Sequence, residues 1–149
     1  IKSPILETFC YHKPMKLYTF RLRPGQDMVP AIQDFVTQNN IRAGFIVTCV
    51  AGLKYATLRM ADALPSQQDI RRFEGPLEVV SLVGTVSIHG LHLHMAVSDK
   101  EGKTFGGHLK PDSPVHLTAE VVIGEDAASV YTRELDESGG FTELVVNSR

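Results

Sequence analysis

Two short segments of this 149-residue chain carry side chains whose type and spacing suit metal chemistry: Gly90-Leu91-His92-Leu93-His94-Met95-Ala96-Val97-Ser98, and Gly106-Gly107-His108-Leu109. In the first, Leu91, Leu93, Met95 and Val97 alternate with His92, His94, Ala96 and Ser98. That period of two belongs to a half-buried strand. It sets His92 and His94 on one face, about 6–7 Å apart at the backbone, within reach of a single ion. His108 follows two glycines, which permit close backbone approach, and can fold back as a third ligand. Three histidines with an open fourth position make a ligand-binding zinc site, and zinc there lowers the pKa of water towards about 7. The competing reading is three imidazoles bonded to one another, to Ser98 or to water at a subunit boundary.

The carboxylates divide less cleanly. Glu78 interrupts a run, Leu77 to Val86, that otherwise reads as buried, where a bare charge is expensive. Arg59, among apolar neighbours, is its natural counter-ion, and the pair would hold the sheet or an assembly together. The alternative is catalysis, with Glu78 or Glu120 moving a proton or orienting a histidine ligand. Odd spacing puts His89 on the face opposite His92 unless Gly90 makes a bulge. His116 shares a face with Thr118 and Glu120, and either lies near the site or faces solvent. His12 is incidental. Arg71-Arg72 could take an anion, although adjacent basic loop residues are usually solvated.

These residues need a scaffold. Tyr18, Phe20 and Leu22 alternate with Thr19, Arg21 and Arg23 in a strand that Pro24-Gly25 stops. Asp27 is a candidate N-cap, and Val29, Ile32, Phe35 and Val36 form a helical stripe running to about Asn40. Phe45 to Val50 and Tyr55 to Met60 read as extended, residues 61–72 as a loop, and Leu77 to Val86 as a central strand. The histidine strand follows, and Lys110 to Pro114 is a loop. Val115 to Ile123 alternates again, and a hairpin flanks Ser138-Gly139-Gly140. The pattern predicts an α+β domain on a mainly antiparallel sheet with one main helix. Residues 1–14 are expected as a lead-in, 15–146 as the domain and 147–149 as a tail.

Composition narrows the function classes. A hydrophobic content of 43% in 149 residues suits one domain with a single core. The formal charge of −2 provides no general field for nucleic acid or acidic membranes. No apolar run reaches the roughly 18–20 residues of a membrane helix, and no secretory signal pattern is visible. Cys10 and Cys49 form no motif, so a reduced, cytoplasmic protein is expected. Phosphate-loop, dinucleotide and nucleophile-elbow motifs are absent.

The run Phe73-Glu74-Gly75-Pro76-Leu77-Glu78-Val79-Val80-Ser81-Leu82-Val83-Gly84-Thr85, then His92-Leu93-His94, then Gly106-Gly107-His108-Leu109, resembles the plant-and-prokaryote conserved (PPC) domain. Phe45 to Leu53 and Thr57-Leu58-Arg59 fit the same pattern, and the likeness spans roughly Met15 to Val146. It implies a strongly bent sheet assembled as a homotrimer. It also implies that His92, His94 and His108 hold zinc or another divalent transition metal. The family carries a DNA-binding label that comes largely from plant members, in which AT-hooks precede the domain; this sequence contains no Arg-Gly-Arg-Pro. Acetolactate decarboxylase, of similar general fold, carries a comparable three-histidine zinc arrangement, an analogy of fold and ligands alone.

Three functions are therefore expected to compete. The first is a metal centre that binds or transforms a small molecule. The second is a DNA-binding or regulatory module, which would need scattered basic pairs gathered into a patch. The third is a trimeric scaffold with a structural metal.

Overall fold

The computed structural model describes residues 15–149; the expected lead-in over 1–14, with Cys10 and His12, lies outside the described residues. Strand β1 (Met15–Leu22) turns Tyr18, Phe20 and Leu22 inward, as its alternation requires. Helix α1 (Met28–Gln38) follows and buries Met28, Ile32 and Val36 completely. Each such side chain contributes about 1.5–3 kcal/mol through burial. Asp27 occupies the N-cap position without capping its own helix by its side chain. Its carboxylate instead accepts the backbone N–H groups of Asp112 (2.7 Å) and Ser113 (3.0 Å), tying the helix start to a distant loop. At the other end the Asn39 side-chain amide donates to the Phe35 carbonyl at 2.9 Å, and Asn40 takes a positive φ of 49°.

Two long strands dominate the sheet. β2 (Gly44–Arg59) joins the two segments read as extended into one continuous strand, and β3 (Ile70–Ser87) begins inside the expected loop. Register shifts between Leu53 and Tyr55 and between Val79 and Ser81 let these strands bend without ending. β4 (Gly90–Ser98), β5 (Thr104–Leu109) and β6 (Val115–Asp126) complete a six-stranded sheet of order β1-β6-β2-β3-β4-β5. Every pairing is antiparallel.

One further pairing positions the histidines. The end of β5 returns to the end of β2, matching Leu58 with Leu109 and Arg59 with His108. The sheet thereby curls until β2, β3, β4 and β5 close on themselves. The α+β architecture expected from the pattern, and the bent sheet that the family resemblance implied, are the ones observed.

The central position of β3 has one qualification. It pairs on both sides, with β2 and β4. Yet Val80 and Val83 are 56% and 54% exposed, because the core covers only the opposite face. Strands β7 (Ser129–Leu135) and β8 (Thr142–Ser148) form a separate two-stranded sheet. The expected C-terminal tail over 147–149 is part of this unit: Ser148 pairs with Ser129, and the Arg149 guanidinium lies 3.2 Å from the Glu125 carboxylate. Glu125 is 1% exposed and also accepts the Tyr18 hydroxyl at 2.9 Å and the Arg42 N–H at 3.1 Å. This charge is buried but well supplied with donors.

Candidate metal centre

His92 and His94 leave the same face of β4, and the β4–β5 register sets His108 directly across from His94. The three rings converge, with centroids 5.0 to 5.4 Å apart. His92 Nε2 and His94 Nε2 are 3.2 Å apart. One ligand atom from each histidine lies within 4.8 Å of the others, and among the described residues this is the only such group of histidine, cysteine or carboxylate ligands. Nitrogens bound tetrahedrally at about 2.0–2.1 Å sit roughly 3.4 Å apart, so small ring rotations bring all three to one ion. The donor set, three imidazoles without a carboxylate, suits zinc and its divalent neighbours.

The glycines that flank the histidines admit this approach. A Cβ on Gly107 would stand 2.7 Å from the Arg59 carbonyl, across the β2–β5 closure. A Cβ on Gly84 would stand 1.9 Å from the His92 carbonyl, and Gly84 adopts φ +143°. Both close contacts are backbone, so neither neighbour can move aside as a side chain would.

Two arginines press on the histidines from outside. Arg59 Nη2 is 3.4 Å from His108 Nδ1, and its guanidinium lies 5.0 Å from the Phe141 ring centre. Arg133 Nη1 is 3.5 Å from His92 Nδ1, while its Nη2 donates to Thr85 Oγ1 at 2.6 Å. Burial, and next the charge of Arg59, push His108 from 6.5 down to about 3. Burial, then Arg133 and His94, lower His92. Both rings are therefore neutral at pH 7 and offer lone pairs to a metal.

The other candidates fall elsewhere. Glu78, expected in a buried strand opposite Arg59, is exposed on the open face of β3, where water hydrates its charge. It pairs in register with Ser98, four residues and roughly 13 Å along the strand from His94. Arg59 serves His108 and Phe141 instead. Glu120 is likewise exposed, in register with Arg21 and Val50, on the far side of β2. Within the chain neither carboxylate joins the histidines. His116 is exposed and borders Gly52 together with Glu78. His89 sits exposed in the β3–β4 turn and lines a cleft with His92. Arg71 pairs with Asp69, and Arg72 pairs with Glu74 at 2.9 Å while stacking on Tyr55. Cys49 is a free, half-buried thiol that burial raises to about 11, which makes it a poor nucleophile.

The sequence reading missed Arg133, Phe141 and Glu143. All three come from the β7–β8 hairpin and line, with Arg59, His92 and His108, a cleft of about 310 Å³. Nothing local marks them; only the folding of the hairpin against β3 and β4 makes them part of the site.

Residues 10–126 match the sequence profile of the Plants and Prokaryotes Conserved (PCC) domain. The chain belongs to this family. Curated relatives include the Bifunctional protein GlmU of Synechococcus sp. (strain JA-3-3Ab), 37% identical over 130 residues. That match takes in 87% of this chain but spans only 20% of the relative's length. Among solved structures, a hypothetical protein from Salmonella cholerae-suis has a TM-score of 0.86 at 38% identity, covering 93% of this chain and 98% of its own. A metal-containing protein from Archaeoglobus fulgidus has a TM-score of 0.77 at 27% identity, covering 87% of this chain and 93% of its own. Two further structures share the fold alone. One, from Bacteroides thetaiotaomicron, has a name that suggests DNA binding (TM-score 0.77, 22% identity, 91% and 96% coverage). The other, from Staphylococcus aureus, is a protein of unknown function similar to alpha-acetolactate decarboxylase (TM-score 0.51, 17% identity, 74% and 52% coverage). The β7–β8 hairpin lies beyond the PCC-matched residues.

Proposed function

We propose that this PCC-domain chain is a metal protein in which His92, His94 and His108 hold zinc or a similar divalent ion that engages a small molecule. The convergence of three imidazoles carries the reading, and the likeness to a metal-containing archaeal protein supports it. Bound there, the ion supplies Lewis acidity. The chain's own groups do the rest. Arg59 and Arg133 fix the outer edges of two of the rings, Phe141 and the hairpin narrow the approach, and Glu143 is the carboxylate that shares the cleft.

Because the cluster has no fourth protein ligand among the described residues, a binding or reacting centre is favoured over a purely structural metal. The proposal includes a homotrimer, supported by the exposed Val47, Val50, Val80 and Val83 on β2 and β3. A DNA-binding role draws less support. The formal charge is −2, and the Arg71 and Arg72 pair is already engaged by carboxylates. Among the described residues no helix is long and apolar enough to cross a membrane, and a cytoplasmic location is part of the same proposal.

Elemental analysis of the purified chain, alongside His92→Ala, His94→Ala and His108→Ala, tests the site. About one zinc per chain is expected, with loss in each variant. Stoichiometric metal surviving in all three would rule the centre out.

A further inference from the structure

We infer that the cleft beside the three histidines is an oxyanion receptor, built by Arg59 and Arg133 to take a small organic acid by its carboxylate. The inference rests on the metal reading above and names the class of molecule that the centre serves. Its starting point is a charge imbalance. Arg59 and Arg133 are both partly buried, and neither has a carboxylate within ion-pair distance among the described residues. Their neighbours are Phe141, Thr85, the two imidazoles and, beside Arg133, Glu143. The Glu143 carboxylate is near enough to act on Arg133 by its charge. That leaves Arg59 as the partly buried guanidinium without a counter-charge, a costly state that an anionic ligand would relieve. Glu143 shares the cleft but forms no ion pair with either, so two positive groups face one negative one before any metal is counted.

Geometry adds direction. His92 and His94 bring their Nε2 atoms together, so His92 presents Nδ1 outward to Arg133. A guanidinium can only donate, and Nδ1 accepts from it while the ring proton sits on Nε2. Were Nε2 given to a metal, Nδ1 would be a donor beside the Arg133 fork, and an oxygen anion there would accept from both. The planar fork of Arg133 suits a carboxylate in particular.

Size fixes the scale of the ligand. A cleft of about 310 Å³ is at the small end of ligand sites, which suits an acid of a few carbons rather than a polymer. A 2-oxo or 2-hydroxy acid places one oxygen toward the histidines and its carboxylate on the guanidinium groups. The same donors would hold inorganic phosphate, so the test must separate the two. The hairpin that supplies Arg133 lies outside the PCC-matched stretch, so half of the receptor is not given by the family pattern.

The experiment is calorimetric titration of pyruvate, pyruvamide and inorganic phosphate into the zinc-loaded 149-residue chain, with zinc content measured on the same samples. Saturable pyruvate binding is expected, with pyruvamide and phosphate at least tenfold weaker. Arg59→Gln and Arg133→Gln should each weaken pyruvate at least tenfold while retaining zinc; the Lys variants should recover part of the loss. Should Arg133→Gln fail to fold, Arg59→Gln and the two Lys variants carry the test. Absent zinc would overturn the metal reading itself. Bound zinc with no pyruvate binding, or with binding unaffected by the arginine changes, would overturn the receptor alone. Phosphate binding at least as tightly as pyruvate would overturn the assignment to an organic acid.

Discussion

At the scale of single residues, the histidines combine an ordinary side chain with an unusual setting. His108 is held at about 3 against an ordinary 6.5, chiefly by burial and then by Arg59. Between these values the unfolded chain binds a proton that the folded chain refuses, so stability rises with pH there. The metal-free protein should therefore lose stability as pH falls from 6.5 toward 3, and His108→Asn should flatten that slope in urea unfolding series. An unchanged slope in the variant would contradict the assignment; the partial exposure of the ring keeps the size of the effect modest. Protons compete for the same lone pairs, so zinc should dissociate in the same acidic range. Glu78 and Glu120, singled out in the sequence for catalysis, make the opposite case. Both are exposed and away from the rings, so Glu78→Gln and Glu120→Gln should leave zinc content and pyruvate affinity unaltered. A loss of either property in one of these variants would reinstate that carboxylate as part of the centre.

At the scale of elements, the site depends on register more than on any single contact. β4 presents His92 and His94, β5 brings His108 opposite His94, and the return of β5 to β2 places Arg59 beside His108. Gly84 is where this arrangement is least tolerant. A methyl group there meets the His92 carbonyl at 1.9 Å on a backbone already at φ +143°, so Gly84→Ala should cost about 3 kcal/mol and lower zinc occupancy. Gly90, also at positive φ but with open space around it, should lose only about 1 kcal/mol on the same change. Equal losses in denaturant melts would mean that backbone strain alone, and not the β3–β4 approach, governs both sites. Much of this layer was legible beforehand. Alternation revealed the histidine strand, β1 and β6, and the apolar stripe revealed α1, because each of these buries one face. The continuity of β2 and the early start of β3 were hidden, since bulges break the alternation while the chain stays paired. Glu78 misled for a related reason. A run apolar on both sides reads as buried, yet one face of β3 is open within the single chain, and Val80 and Val83 lie on its surface.

At the scale of the whole molecule, two features stand out. The register on either side, Phe45 with Thr85 and Ala51 with Val79, sets Val47 level with Val83 and Val50 level with Val80, an apolar strip on the outside of the central strands. In the proposed trimer this strip is covered. The double variant Val50→Lys, Val83→Lys should then drop the mass seen by analytical ultracentrifugation about threefold, whereas an unchanged mass would move the interface elsewhere. At the C-terminus, Arg149 closes the hairpin onto buried Glu125. Arg149→Ala should destabilise the chain by about 1–3 kcal/mol, read from thermal or urea unfolding. No difference there would mean that Tyr18 and the Arg42 N–H satisfy Glu125 without it.

The hairpin itself has a consequence for how such proteins diversify. The histidines belong to the closed sheet, whereas Arg133, Phe141 and Glu143 belong to a two-stranded unit attached after it. On the proposed reading, the sheet would hold the metal together with Arg59, while the hairpin would supply the other half of the ligand's recognition. If that reading holds, drift or exchange in residues 129–148 would change what the proposed centre accepts without removing any of its three histidines. One set of three histidines would in this way serve more than one ligand.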